Sequence, residues 1–256
     1  MVNKLSPTED LIKSSKTIDQ LNTLNAINLI LEDQKKSILA IQNVTNEISI
    51  LVDKIYLKLN NSKLGRLIYT GAGTSGRIAI QDGVELLPTF GWPSKRLKYI
   101  MAGGRKAVFK SVEFAEDDIK KPIEIVKKLK VNCDDVVIGV AASGNTPFTS
   151  KVIESSTKNG AMTIAISNNP KGKILKYAKH NIILDTKGEV IAGSTRLKAG
   201  TSQKICLNLI STMLMVRLGN IKNGQMVNMI PTNKKLLERQ KRIKRLLNNK
   251  KLLRNE

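Results

Sequence analysis

Two short turns rich in small and hydroxyl-bearing residues carry the first chemical signal. Gly71-Ala-Gly-Thr-Ser-Gly-Arg77 follows an apolar run, Arg66-Leu-Ile-Tyr-Thr70, and opens a helical pattern that Pro88 closes. Its glycines spell G-x-G-x-x-G, a dinucleotide spacing that is weak when it stands alone. A dinucleotide fold also wants an acid at the end of the second strand to hold the ribose. Here that strand ends in Met101-Ala-Gly-Gly104, and Glu85 falls inside the preceding helical pattern. The pattern argues against NAD, and no cofactor is expected. Gly73, Thr74, Ser75 and Gly76 instead place hydroxyls beside the free N–H groups of a helix start, which suits a phosphate monoester. Ala142-Ser-Gly-Asn-Thr146 has the same chemistry, so Ser143, Gly144 and Asn145 join the candidate set. Two such turns at the carboxyl ends of parallel strands can share one ligand at a topological switch point.

Other reactive side chains are few. The sole histidine, His180, precedes an apolar strand and reads as structural. No His/Cys/Asp cluster has metal-ligand spacing, so no metal site is expected. Cys133 and Cys206 cannot build a disulfide framework and read as buried thiols, which points to a reducing, cytoplasmic setting.

The elements that would hold the turns follow from periodicity. Thr17 can N-cap a helix from Ile18 whose apolar stripe is Leu21, Leu24, Ile27 and Leu31. A second helix carries Ile41, Val44, Ile48, Leu51, Ile55 and Leu59 on one face, and the two form an N-terminal helical layer. Strands then alternate with helices: 66–70, 97–101, 135–140, 162–166 and 181–184 are strands, and a long helix covers about 198–218. That alternation specifies an α/β fold, a doubly wound parallel sheet flanked by helices, with a short C-terminal helix. Segments 1–56, 57–220 and 221–256 read as helical layer, main domain and basic tail, with a linker at Gly219–Gly224.

The chain has 256 residues and a net charge of +22, yet its 33 lysines and 10 arginines are spread throughout. Aromatic residues are only 4%, too few for base stacking, so nucleic acid is not an expected partner. The dense block is the tail, where 234–256 holds ten Lys/Arg against Glu238 and Glu256 and reads as a solvated helical face. No apolar run approaches membrane length, and the N-terminus lacks a secretory apolar region.

Tyr69-Thr-Gly-Ala-Gly-Thr-Ser-Gly-Arg77 and Val140-Ala-Ala-Ser-Gly-Asn-Thr-Pro147 resemble the two loops of sugar isomerase (SIS) domains. The closer resemblance is to the N-acetylmuramic acid 6-phosphate etherases. It rests on Glu85-Leu-Leu-Pro-Thr-Phe-Gly91, Val112-Glu-Phe-Ala-Glu-Asp-Asp118, Ser167-Asn-Asn-Pro170, Gly193-Ser-Thr-Arg-Leu-Lys-Ala-Gly-Thr-Ser-Gln-Lys204 and Thr232-Asn-Lys-Lys-Leu236. These motifs keep their order from about residue 14 to 243. The resemblance implies a homodimeric, metal-free lyase of peptidoglycan recycling that takes a sugar 6-phosphate and releases D-lactate. It also implies that Glu85 and Glu116 are catalytic and that Ser194, Thr195 and Arg196 belong to the substrate site, with Arg196 suited to the lactate carboxylate.

The chemistry explains a carboxylate pair. Opening the sugar exposes a C1 aldehyde that acidifies the C2 proton. A base removes that proton, an acid protonates the departing lactate oxygen, and water adds back at C3. Base and acid require two groups with separated pKa values. We assign Glu85 as acid and Glu116 as base, although the sequence allows the exchange; Glu113, three residues before Glu116, is its rival. The chain departs from the family at both glutamates. Gly83-Val-Glu-Leu-Leu-Pro88 stands where Ala-Ser-Glu-Cys-Pro-Pro is usual, and Phe114 replaces a glycine. The resemblance also implies a small helical C-terminal domain, of which the basic tail reads as a truncated form. Two other readings remain: a hexosamine-phosphate isomerase and a non-catalytic sugar-phosphate sensor resembling the glucokinase regulator.

Overall fold

A computed structural model describes residues 6–231 and 234–252. The Thr232-Asn-Lys-Lys-Leu236 motif lies partly outside them. Helices α1 (Thr23–Gln42) and α2 (Thr45–Asn61) lead into strand β1 (Leu67–Gly71) and helix α3 (Gly73–Val84). The short helix α4 (Leu86–Phe90) and strand β2 (Leu97–Met101) follow, then helices α5 (Lys106–Phe109) and α6 (Lys121–Lys128). Strand β3 (Val136–Ala141), helix α7 (Pro147–Lys158), strands β4 (Met162–Ser167) and β5 (His180–Ile183) and the long helix α8 (Lys198–Arg217) complete the unit. The hairpin β6 (Ile221–Lys222) and β7 (Gln225–Met226) and helix α9 (Lys234–Leu252) close it.

The five main strands form one sheet in the order β2-β1-β3-β4-β5, and every pair is parallel. β1 lies between β2 and β3, so the chain reverses its winding at the β1/β3 boundary, the place where open α/β sheets bind ligands. Strands covered on both faces read as continuous apolar runs. Leu67, Tyr69, Val136, Ile138 and Val140 point into the core shared with α2, α3 and α8. Ile68, Val137 and Ala141 point to the opposite face, against Val126 of α6 and Phe148, Val152 and Ile153 of α7. The expected boundary at 56/57 falls within α2, whose Ile48, Leu51, Val52, Ile55 and Leu59 are all buried in the first core. Among the described residues no helix is long and apolar enough to cross a membrane.

The structure corrects several local expectations. Thr17 caps only a single turn, Ile18–Gln20, through the Gln20 side chain, and α1 begins at Thr23 with Asn22 accepting from the Asn25 N–H at 2.9 Å. The stripe expected to be buried faces outward: Leu24, Ile27 and Leu31 are exposed, while Asp33 and Ser37 are buried. The reason is the partner. Asp33 meets the buried Lys198 ammonium at 2.8 Å, and Ser37 donates to the Lys198 carbonyl at 2.9 Å, so α1 docks on α8 through polar groups. The expected linker at 219–224 forms a hairpin instead, because Asn223 and Gly224 both take the left-handed conformation of a tight two-residue turn. Cys133 is exposed, contrary to the reading of two buried thiols, while Cys206 is buried.

Candidate active site

The first turn is built by the β1–α3 junction. A Cβ at Gly71 would lie 2.8 Å from the Gly76 Cα, so these two glycines let helix and strand touch rather than admit a ligand. Gly73 is exposed at the helix start, Thr74 is half-buried and Ser75 is buried. The unpaired N–H groups of the first turn of α3 face the carboxyl edge of the sheet, where anions are favoured.

Beside Gly73 lies a hollow of about 380 Å³, closed by the segment 111–117 and lined by Arg77, Ser111, Glu113, Glu116 and Asp117. Glu113 to Asp117 is a turn rather than the expected helical face, so Glu113 and Glu116 reach the same hollow by chain reversal. The Phe148 N–H donates to the Glu116 carbonyl at 2.9 Å, tying this turn to the start of α7. Arg77 fixes the opposite wall by donating from Nε to the carbonyls of Ala107 and Val108 at 3.0 and 3.2 Å. Phe114 sits in the turn at φ 55°, with its side chain 81% exposed.

The second turn lies across the switch point. Ser143 Oγ accepts from the Asn145 N–H at 3.2 Å, and Asn145 Oδ1 accepts from the Lys173 N–H at 3.1 Å. Gly144 packs on Gly172. Asn169 Nδ2 donates to the Ser143 carbonyl at 2.9 Å, so the Ser167–Asn169 turn after β4 buttresses the second cradle. Asn168, fully buried, joins the Leu184 carbonyl, Ser202 and Gln203 in one network that carries α8 to this edge.

Ser194, Thr195 and Arg196 form the loop before α8. A Cβ at Gly200 would lie 3.2 Å from the Thr195 carbonyl and 3.6 Å from the Thr74 methyl, so this loop adjoins the first cradle. Arg196 is exposed and has no ion pair among the described residues. Lys198, in the same motif, is buried against Asp33 and serves the scaffold. Buried Glu189 caps α8, accepting from the N–H groups of Lys198 and Ala199 at 3.1 and 2.8 Å. Burial pushes the Glu189 carboxyl up from its ordinary range, against the downward pull of these two N–H groups. Among the described residues no three His, Cys, Asp or Glu side chains gather to hold a metal ion.

The structure therefore gathers Gly73, Thr74, Ser75, Ser143, Gly144, Asn145, Ser194, Thr195, Arg196 and Glu116 along one edge. Gly76 is buried in the β1–α3 contact. Glu85 stands apart: it is exposed at the carboxyl end of α3, which rises about 18 Å over its twelve residues. Sequence reasoning missed Arg77, Asn168 and Glu189. Arg77 and Asn168 lay inside quoted motifs, whereas nothing local marked Glu189. His180 opens β5 at the opposite edge of the sheet, where burial and then Lys54 and Lys179 lower its pKa.

Comparison with known proteins follows the same lines. A family model described as the glucokinase regulatory protein N-terminal SIS domain matches residues 47–157, and one for the SIS domain matches 105–214. The chain is 43% identical to the N-acetylmuramic acid 6-phosphate etherase of Pasteurella multocida over 92% of its own length and 78% of that protein. It is 44% identical to the etherase of Clostridium botulinum, over 90% of this chain and 76% of that one. Among solved structures it is similar to a putative phosphosugar isomerase from Bacteroides fragilis (TM-score 0.60, 17% identity, 82% and 98% of the two chains). A phosphoheptose isomerase from Francisella tularensis also matches (TM-score 0.55, 19% identity, 78% and 100%), and both likenesses concern the fold.

Proposed function

The chain belongs to the N-acetylmuramic acid 6-phosphate etherase family, and from that premise we infer that it is a carbon–oxygen lyase acting on N-acetylmuramic acid 6-phosphate. It converts this substrate and water into N-acetylglucosamine 6-phosphate and D-lactate, a step of amino-sugar recycling. The carrying observation is identity of 41–44% sustained over 90–95% of the chain.

The chemistry proposed at the site uses this chain's own residues. The phosphate rests on the N–H groups opening α3 and on the hydroxyls of Thr74 and Ser75, with Ser143 and Asn145 across the switch point. Arg196, without an ion pair among the described residues, is available for the lactate carboxylate. After ring opening Glu116 takes the C2 proton and the C3–O bond breaks. Glu85 gives its proton to the departing lactate oxygen. Water then adds at C3, deprotonated by Glu85, while Glu116 returns a proton to C2. Each glutamate ends in its starting state.

Glu85 and the cradle lie at opposite ends of α3, so one protomer offers the two parts of the proposed site apart from each other. A homodimer resolves this. A two-fold axis across α3 would set the Glu85 end of each copy over the cradle end of the other, as isologous contact requires. An apolar groove of about 550 Å³, lined by Ile80, Val84, Tyr99, Met101 and Phe109, runs between those two ends and supports the pairing. Two free thiols, one of them exposed, suit a reducing compartment, and the cytoplasm is the proposed setting.

The test is incubation with N-acetylmuramic acid 6-phosphate and analysis of both products. D-lactate and N-acetylglucosamine 6-phosphate in equal amounts support the lyase, whereas a ketose phosphate without lactate would indicate an isomerase. The match to the glucokinase regulatory SIS domain favours one second reading, a sugar-phosphate sensor. Its signature would be binding of N-acetylglucosamine 6-phosphate with no turnover of the muramyl compound.

A further inference from the structure

The segment before α1 makes contacts that neither the fold nor the two-glutamate chemistry requires. Pro7–Glu9 forms one tight turn, after which the backbone pairs in parallel with Glu189. The Ile12 N–H donates to the Glu189 carbonyl and the Glu189 N–H to the Asp10 carbonyl, both at 3.1 Å. Upstream, Ser6 Oγ accepts at 3.1 Å from Asn169 Nδ2, the amide that also holds the Ser143 carbonyl of the second cradle. Thr8 is fully buried. The segment is thus a strap bonded both to Asn169, which buttresses the second turn, and to Glu189, which caps α8.

Between those anchors the strap presents Glu9 to the loop before α8. Gly193 takes φ 72°, and a Cβ there would lie 2.7 Å from Glu9 Oε2. The carboxylate therefore lies directly over the loop that bears Ser194, Thr195 and Arg196. Glu9 is exposed, and its side chain has no bonded partner among the described residues. Glu189, by contrast, spends both carboxylate oxygens on α8.

We propose that Glu9 is a substrate-binding residue whose carboxylate accepts a hydrogen bond from an O–H or N–H of the amino sugar held in the cradle. An ionised carboxylate accepts only, so it selects the hydroxyl and acetamido donors of the sugar. It thereby helps orient the sugar in the cradle. This inference rests on the sugar-phosphate reading of the site and adds a residue to it.

The experiment compares wild type, Glu9→Gln, Glu9→Ala and Asp10→Asn. Kinetics are measured with N-acetylmuramic acid 6-phosphate, and binding of N-acetylglucosamine 6-phosphate is measured by calorimetry. Loss of a charge-assisted bond at an exposed site predicts KM and product Kd raised about tenfold in Glu9→Ala, less in Glu9→Gln, with kcat within about threefold. Asp10→Asn removes the same charge one residue away and leaves both constants unchanged. Thermal melting within about 2 °C of wild type separates binding from a structural role. KM and Kd within twofold of wild type in Glu9→Ala overturn the proposal, as does an equal effect in Asp10→Asn. A wild-type protein that neither turns over the first sugar nor binds the second overturns the underlying reading and this inference with it.

Discussion

Glu116 lines the hollow at the amino end of α3, and Glu85 caps the carboxyl end of the same helix, whose twelve residues rise about 18 Å. On the proposal that the two carboxylates meet across a homodimer, each site takes Glu116 from one copy and Glu85 from the other. Glu85→Gln and Glu116→Gln should each lose on the order of 10²–10⁴ in kcat, the range for general acid–base groups. Coexpressed at equal levels, the two variants should recover about a quarter of wild-type activity, because half the dimers are mixed and each mixed dimer has one intact site. Activity no higher than the single variants would mean that each site uses its own two glutamates.

Phe114 occupies a left-handed position at φ 55°, two residues before Glu116. That conformation costs a side-chain-bearing residue roughly 1–2 kcal/mol, and glycine's greater unfolded-state freedom returns about 0.5–1. Phe114→Gly should therefore stabilise the protein by about 0.5–1 kcal/mol, a rise of about 2 °C in a thermal melt. A fall in Tm would show that the exposed ring makes compensating contacts.

The Lys198 ammonium is buried against Asp33, and that pair pins α1 to the start of α8. Asp33→Ala should cost about 3–5 kcal/mol in urea unfolding, since it strands a buried charge. Replacing both residues with apolar ones should recover much of that loss. A single-variant cost below about 1 kcal/mol would mean that water reaches the pair.

Burial, with Asp82 nearby, pushes the Cys206 thiol up to about 12, so at pH 8 it stays protonated and unreactive. Cys133 is exposed. Native protein treated with iodoacetamide at pH 8 should carry one adduct, on Cys133, when digested and read by mass spectrometry. Modification of Cys206 at a similar rate would contradict its burial.

Much of this architecture was legible in the sequence because it is local. The apolar run before Gly71, the hydroxyls at Thr74 and Ser75 and their echo at Ser143 place two cradles at strand ends, and the sheet order sets them side by side. The α1 interface was not legible, because periodicity assumes that apolar residues turn inward. Here Asp33 and Ser37 turn inward, since their partner, Lys198, lies 165 and 161 residues away. Asn223-Gly224 was a readable hairpin signal that its short flanking runs obscured. The separation of Glu85 from Glu116 depends on the direction in which α3 runs from the cradle, which residue types do not encode.

The central claim is that this chain breaks a lactyl ether with Glu116 at the reacting carbons. Its most direct measurement is D-lactate released from N-acetylmuramic acid 6-phosphate by wild type and by Glu116→Gln, compared at equal protein concentration. The account predicts one lactate per amino sugar formed by wild type and a rate lower by on the order of 10²–10⁴ in the variant. No lactate from wild type, or a variant that keeps pace with it, would contradict the account.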